Sequence, residues 1–150
     1  MEVERLRTFL RHHRTIAFDT SVFIYQLEMN PKYLPVSDHI FSWIERKGSQ
    51  AVTSTITMTE LLVQPYRNQD EQLVDRLYGL LSTYPNLEWV PPSLEIADLA
   101  AQMRAHHRLR TPDALQAATA VQCRATAFIT NDPVFSKVEA FQTLIVDEFV

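Results

Sequence analysis

The chain has 150 residues, 46% of them hydrophobic, with a formal net charge of −4. A chain of that size buries roughly 68 to 70% of its unfolded surface in one core, so a single domain over 1–150 is expected, with 1–14 as a leading basic helix. One cysteine, Cys123, excludes an internal disulfide or a multi-thiolate metal site, and the only two glycines, Gly48 and Gly79, exclude GxGxxG loops, P-loops and Gly-x-Ser-x-Gly elbows.

The charged start, Met1-Glu2-Val3-Glu4-Arg5, and the lack of 18 consecutive apolar residues predict a soluble, cytoplasmic protein with no membrane association. Net acidity argues against a uniformly basic nucleic-acid surface. Even so, seven of the 14 basic residues fall in two short segments, Arg5, Arg7, Arg11 and Arg14, then Arg104, Arg108 and Arg110. Each segment reads either as a solvated helix face or as a phosphate contact.

In chain order, Val3, Leu6, Phe9 and Leu10 predict a helix over 2–12. Ile16-Ala17-Phe18 predicts a buried strand that ends on Asp19, followed by a short helix and a turn at Asn30-Pro31 and Pro35. Val36, Ile40, Trp43 and Ile44 predict a helix stopped by Arg46-Lys47-Gly48. The β-branched run Ala51–Ile56 predicts a second strand, and the helix after it carries Glu60 and closes at Pro65. Leu73 to Leu81 reads as a helix, Leu87–Val90 as a strand, and Ile96 to Met103 as a helix. Thr111-Pro112-Asp113 predicts an N-cap at Thr111 with proline at the first helical position, opening a buried helix of small residues. Ala125–Thr130 and Thr143–Val146 complete five strands. Trp43 and Trp89 read as core anchors and Cys123 as a buried thiol. The pairs His12-His13 and His106-His107 read as surface residues, because neighbours on a helix diverge by about 100°.

Alternating strands and helices imply a three-layer α/β/α sandwich around a central, mostly parallel sheet of about five strands. In such a sheet ligands bind at the carboxyl ends of the strands. Asp19 and Asp132 follow two strands, and Glu60 and Asp113 lie in first turns of helices that can approach the same edge, although each has a local reading as a cap, a turn residue or a solvated acid. Carboxylates about 5 Å apart repel by roughly 3 kcal/mol at an effective dielectric near 20, which calls for a cation or raised pKa values. All-oxygen donors suit Mg²⁺ or Mn²⁺, one or two ions, and metal-assisted hydrolysis of a phosphodiester.

Four segments, Asp19-Thr20-Ser21, Thr57-Met58-Thr59-Glu60-Leu61-Leu62, Thr111-Pro112-Asp113-Ala114-Leu115-Gln116-Ala117-Ala118-Thr119-Ala120 and Phe128-Ile129-Thr130-Asn131-Asp132, resemble the signature segments of PIN-domain ribonucleases, and most of all VapC-type toxins of toxin-antitoxin systems. The resemblance covers the chain from Thr15 onward. It implies Asp19, Glu60, Asp113 and Asp132 as catalytic metal ligands, and Ser21, Thr130 and Asn131 as supporting polar residues. It also implies RNA as substrate, a homodimer and a cognate antitoxin. Arg104, Arg108 and Arg110 are the candidate RNA contacts on the basic segment. Ser21 stands where many relatives carry Asn, and Pro133 fixes the backbone directly after Asp132. An aspartyl phosphatase would want a second acid where Ser21 stands, and a receiver domain an acceptor where Val90-Pro91-Pro92 stands. A non-catalytic RNA-binding or protein-interaction module on the same fold is the remaining alternative.

Overall fold

The computed structural model describes residues 2–150. Helix α1 (Glu2–Arg11) starts with Glu2 and Glu4 and ends with Arg11, charges that complement its dipole, and buries Leu6 and Leu10. Strand β1 (Thr15–Phe18) and helix α2 (Thr20–Leu27) follow, then helix α3 (Leu34–Glu45) and strand β2 (Gln50–Ser54). Helices α4 (Thr55–Arg67) and α5 (Glu71–Ser82) precede strand β3 (Leu87–Val90), and helices α6 (Leu94–His106) and α7 (Thr111–Gln122) precede strand β4 (Ala127–Thr130). Strand β5 (Gln142–Ile145) lies between two 3₁₀ turns, Pro133–Lys137 and Val146–Phe149.

The five strands form one sheet in the order β3-β2-β1-β4-β5, and every pairing is parallel. The fold is the expected α/β/α sandwich. Alternation along β1 sorts side chains between two cores: Ile16 and Phe18 join Leu6, Ile40, Ile44 and Ile129 on one face, while Ala17 joins Ala117, Ala118 and Phe128 on the other. The second face admits α7 closely because Ala114, Ala117, Ala118 and Ala120 are fully buried. No helix among the described residues is long and apolar enough to cross a membrane.

Several boundaries differ from the sequence expectation for local reasons. The second strand stops at Ser54, whose hydroxyl accepts from the Ile56 N–H at 3.2 Å, so Thr55 and Ile56 enter α4. Pro65 does not close α4. It sits in the last turn, where only its own missing N–H is lost, and the helix runs on to Arg67. Arg110, not Thr111, is the N-cap of α7; the Thr111 hydroxyl instead accepts from Arg104 at 3.0 Å. Cys123 is half-buried as the C-cap of α7 rather than sealed in the core, and burial pushes its thiol pKa up. Trp89 is half-buried too, with its indole N–H donating to the Leu81 carbonyl at 2.9 Å.

Close packing of α7 makes it intolerant of added volume. Ala118→Leu should cost about 1–3 kcal/mol by overpacking, read as a lower denaturant midpoint at unchanged m-value. An unaltered midpoint would show that the α7 contact has slack.

Candidate functional site

In the order β3-β2-β1-β4-β5 the chain turns from one side of β1 to the other, so the switch point lies between β1 and β4, at their carboxyl ends. Asp19 follows β1 directly. It is the N-cap of α2, and its Oδ1 accepts from the Ser21 backbone N–H at 3.0 Å and the Ser21 hydroxyl at 2.7 Å. Its Oδ2 accepts from the Thr130 hydroxyl at the end of β4. Thr130, fully buried, also accepts from the Asp132 N–H at 3.0 Å. Asp132 is exposed and caps the 3₁₀ turn by accepting from the Val134 N–H at 3.0 Å.

Burial raises the Asp19 pKa above the ordinary carboxyl value, the bonds from Thr130 and Ser21 oppose that rise, and the charge of Asp113 adds to it. Asp113, half-buried in the first turn of α7, is raised by burial and by Asp132, while Arg110 at 3.6 Å opposes the shift. Asp113 thus stands between the other two acids, its charge acting on Asp19 and the charge of Asp132 acting on it. Glu60 stands apart: it is exposed on α4, and its Oε1 accepts from the Thr20 hydroxyl at 2.9 Å. Among the described residues no three His, Cys, Asp or Glu side chains already form a group that encloses an ion. The donor chemistry is nevertheless that of a hard divalent cation: all carboxylate oxygen, partly desolvated and mutually repelling.

The supporting residues divide by role. Ser21 and Thr130 hold Asp19 itself. Asn131 points elsewhere: its Nδ2 donates to the Tyr25 hydroxyl at 2.9 Å and its Oδ1 accepts from the Asp147 N–H at 2.9 Å. Tyr25 is stacked on Tyr33 with ring centroids 3.9 Å apart, so Asn131 ties the β4 end to α2 and to the C-terminal turn. Of the three arginines, Arg104 donates to the Leu109 carbonyl and the Thr111 hydroxyl, both at 3.0 Å, and so braces the entry to α7. Arg110 pairs with Asp113, and Arg108 is exposed with no ion pair among the described residues.

A buried polar chain behind the site has no counterpart in the sequence reading. Gln116 Nε2 donates to Thr57 Oγ1 at 2.8 Å, the Thr57 and Thr53 hydroxyls share a bond at 2.7 Å, and Thr53 donates to the Phe18 carbonyl at 2.9 Å. Its direction is fixed. Phe18 offers only an acceptor, so Thr53 spends its proton there, Thr57 donates to Thr53, and Gln116 must present its amide nitrogen to Thr57. Gln116 Oε1 is left buried without a partner. The chain joins α7, one turn after Asp113, to α4, one turn before Glu60, and to β1, one residue before Asp19. An amide, Gln116, set among alanines in the middle of α7 was the available signal. A cavity of about 270 Å³ opens beside Glu60, lined by Ile24, Leu27, Leu61, Gln64 and Leu77 among others.

The sequence profile of the PIN domain family matches residues 16–140. No curated protein matches the chain significantly. Among solved structures it is similar to a toxin-antitoxin complex from Klebsiella pneumoniae, with 24% identity, 87% of this chain and 97% of that chain covered, and a TM-score of 0.67. It is also similar to VapBC2 from Rickettsia felis bound to a promoter DNA fragment, with 15% identity, 87% and 98% covered, and a TM-score of 0.68. VapBC-1 from nontypeable Haemophilus influenzae gives 20% identity, 89% and 98% covered, and a TM-score of 0.68. At these identities the likeness is one of fold.

Two outcomes test this geometry. Asp113 has a raised folded pKa, so the stability it contributes is full below the ordinary value of 3.8 and lost as pH rises through the raised value. Asp113→Asn should therefore melt higher than the parent at pH 7 in chelator, with the gain fading toward pH 3; an equal or lower neutral-pH Tm would contradict it. The Arg110 pair lost in this variant is solvent-exposed and contributes little. Thr57→Val should cost about 2 kcal/mol by stranding the Gln116 amide, and adding Gln116→Leu should recover part of that loss in a denaturant titration.

Proposed function

The chain belongs to the PIN domain family, and from that premise we propose that it is a metal-dependent endoribonuclease, the toxin of a toxin-antitoxin pair. The observation that carries the reading is the position of Asp113 within charge range of both Asp19, at the β1/β4 switch point, and Asp132. Asp19, Asp113 and Asp132, with Glu60 as an outlying fourth acid bonded to Thr20, would hold one or two Mg²⁺ or Mn²⁺ ions. The ion supplies positive charge that polarises a phosphodiester and stabilises the charge of an in-line displacement by water.

The protein's own contribution is positional. Thr130 and both Ser21 donors occupy Asp19 so that its carboxylate cannot rotate freely. Burial makes the uncompensated charge of Asp19 and Asp113 costly, which favours a cation at neutral pH. Thr20 fixes Glu60 at the same edge. Arg108 and Arg110, both exposed, are the arginines of the second basic segment able to meet a backbone phosphate, because Arg104 is bonded to the Leu109 carbonyl and the Thr111 hydroxyl.

The fold shared with VapBC assemblies supports an antitoxin and a second copy of this chain as partners. Exposed apolar side chains, Leu94 at 89% and Tyr66 at 60% among them, are available to such contacts. One observation favours the alternative of a non-catalytic RNA-binding or protein-interaction module: among the described residues no three acids are grouped closely enough to hold an ion. A cleavage assay separates the two. Purified protein with total RNA and millimolar Mn²⁺ should yield discrete fragments, lost with EDTA and with Asp19→Asn by at least about 100-fold. RNA binding without metal-dependent cleavage would establish the module instead. Mn²⁺ should also raise the Tm of the parent more than that of Asp113→Asn, by mass action on the folded state; equal shifts would remove Asp113 from the site.

A further inference from the structure

A second charged site lies at the opposite end of the sheet. Helix α1 packs against α3 through Leu6, Leu10, Ile40 and Ile44, and between the two helices a cavity of about 320 Å³ opens over Leu10 and Trp43. Its rim is Arg7, Arg11, His39, Ser42 and Arg46, and no carboxylate lines it. Arg7 is already paired with Glu4 at 3.1 Å. Arg11 and Arg46 make no ion pair among the described residues, and both are exposed.

The arrangement follows from helix periodicity. Arg7, Leu10 and Arg11 are spaced i, i+3, i+4 on α1, and His39, Ser42, Trp43 and Arg46 are spaced i, i+3, i+4, i+7 on α3, so each set forms one stripe. Arg11 and Arg46 stand at the C-terminal ends of their helices, where carbonyl dipoles favour a cation. Beyond the cavity the cationic surface continues. The Gln50 N–H donates to the Arg14 carbonyl at 2.9 Å, which brings Arg14 beside the Arg46-Lys47-Gly48 turn. Five of the chain's 14 basic residues, Arg7, Arg11, Arg14, Arg46 and Lys47, therefore meet where β1 and β2 begin. Asp19 lies at the other end of β1.

We propose that the α1–α3 cavity is a binding site for a backbone phosphate of single-stranded RNA, with Arg11 and Arg46 as its principal contacts. This rests on the ribonuclease reading. The acids at the switch point repel a polyanion unless a cation offsets them, so cations elsewhere on the chain add to the attraction. Two unpaired guanidinium groups beside a small cavity suit a phosphate, which they can bind by paired N–H donors. The cavity is at the small end of ligand-sized sites, appropriate to a phosphate with part of its sugar. Helix α1, which supplies Arg7, Leu10 and Arg11, lies outside residues 16–140 matched by the family profile, while α3, which supplies Arg46, lies within them.

The test is the binding of a fluorescently labelled single-stranded RNA by Asp19→Asn protein in EDTA, followed by anisotropy across a salt series, which reads binding without cleavage. Adding Arg11→Gln and Arg46→Gln should weaken binding about tenfold and reduce the slope of log K against log salt by about 0.7, the share of the one phosphate the two arginines hold. Arg76→Gln with Lys137→Gln makes the same change in net charge away from the cavity and should leave the slope nearly unaltered. An unchanged slope in the Arg11/Arg46 protein, or an equal loss in the control, overturns the proposal. Cleavage by otherwise unaltered protein is measured in parallel. If the parent cuts RNA and the Arg11/Arg46 variant binds normally, the cavity proposal alone fails. If the parent neither cuts nor binds RNA, the ribonuclease reading fails and the cavity proposal with it.

Discussion

Asp19 and Thr130 meet across the gap between β1 and β4, and that hydrogen bond joins the two strands at the place where the sheet changes direction. The carboxylate is caught between opposing effects. Burial disfavours its charge, while Thr130 and Ser21 favour it, and the nearby charge of Asp113 disfavours it again. A carboxylate held in one orientation at a net electrostatic cost is poised for a cation. Because β1 is buried on both faces, with Ile16, Ala17 and Phe18 at most 2% exposed, Asp19 cannot move without disturbing two cores.

The surrounding structure holds the other acids against this fixed point. From Gln116 through Thr57 and Thr53 to the Phe18 carbonyl, one directed chain of hydrogen bonds couples α7, α4 and β1. It carries a cost, since Gln116 Oε1 is buried and unpaired, about 1–3 kcal/mol for such a group. A leucine would avoid that cost but would leave Thr57 without its donor. On the far side Asn131 links the end of β4 to Tyr25 and to the backbone of Asp147. The charge distribution follows the same division of the sheet, with acids at the carboxyl ends of the strands and a cationic corner at the starts of β1 and β2.

The layer order was legible in the sequence because hydrophobic periodicity reports burial directly. Ile16-Ala17-Phe18 and the alanines after Asp113 announced a buried strand and a closely packed helix. The acids were legible for a related reason: Asp19 interrupts an apolar run, and Asp113 follows a proline that opens a helix. Glu60 was read as a first-turn acid able to approach the same edge, yet α4 begins at Thr55, so Glu60 falls in the second turn and is the acid set apart from the other three. What escaped was set by tertiary contact. Thr111 looks like a cap, yet its hydroxyl is taken by Arg104. Pro65 looks like a helix end, yet a last-turn proline loses little. Asn131 looks like a site residue, yet its amide is committed to Tyr25 and Asp147. The direction of the Gln116 chain depends on which hydroxyl finds the Phe18 carbonyl, and no local pattern specifies that.

On the proposed function, Asp19, Asp113 and Asp132 hold a divalent cation at the switch point. Anomalous diffraction at the manganese absorption edge, from crystals grown with Mn²⁺, tests it most directly. An anomalous peak is expected in contact with carboxylate oxygens of Asp19 and Asp113 and within reach of Asp132. Well-ordered crystals at millimolar Mn²⁺ with no peak there, or with the peak on other residues, would contradict it.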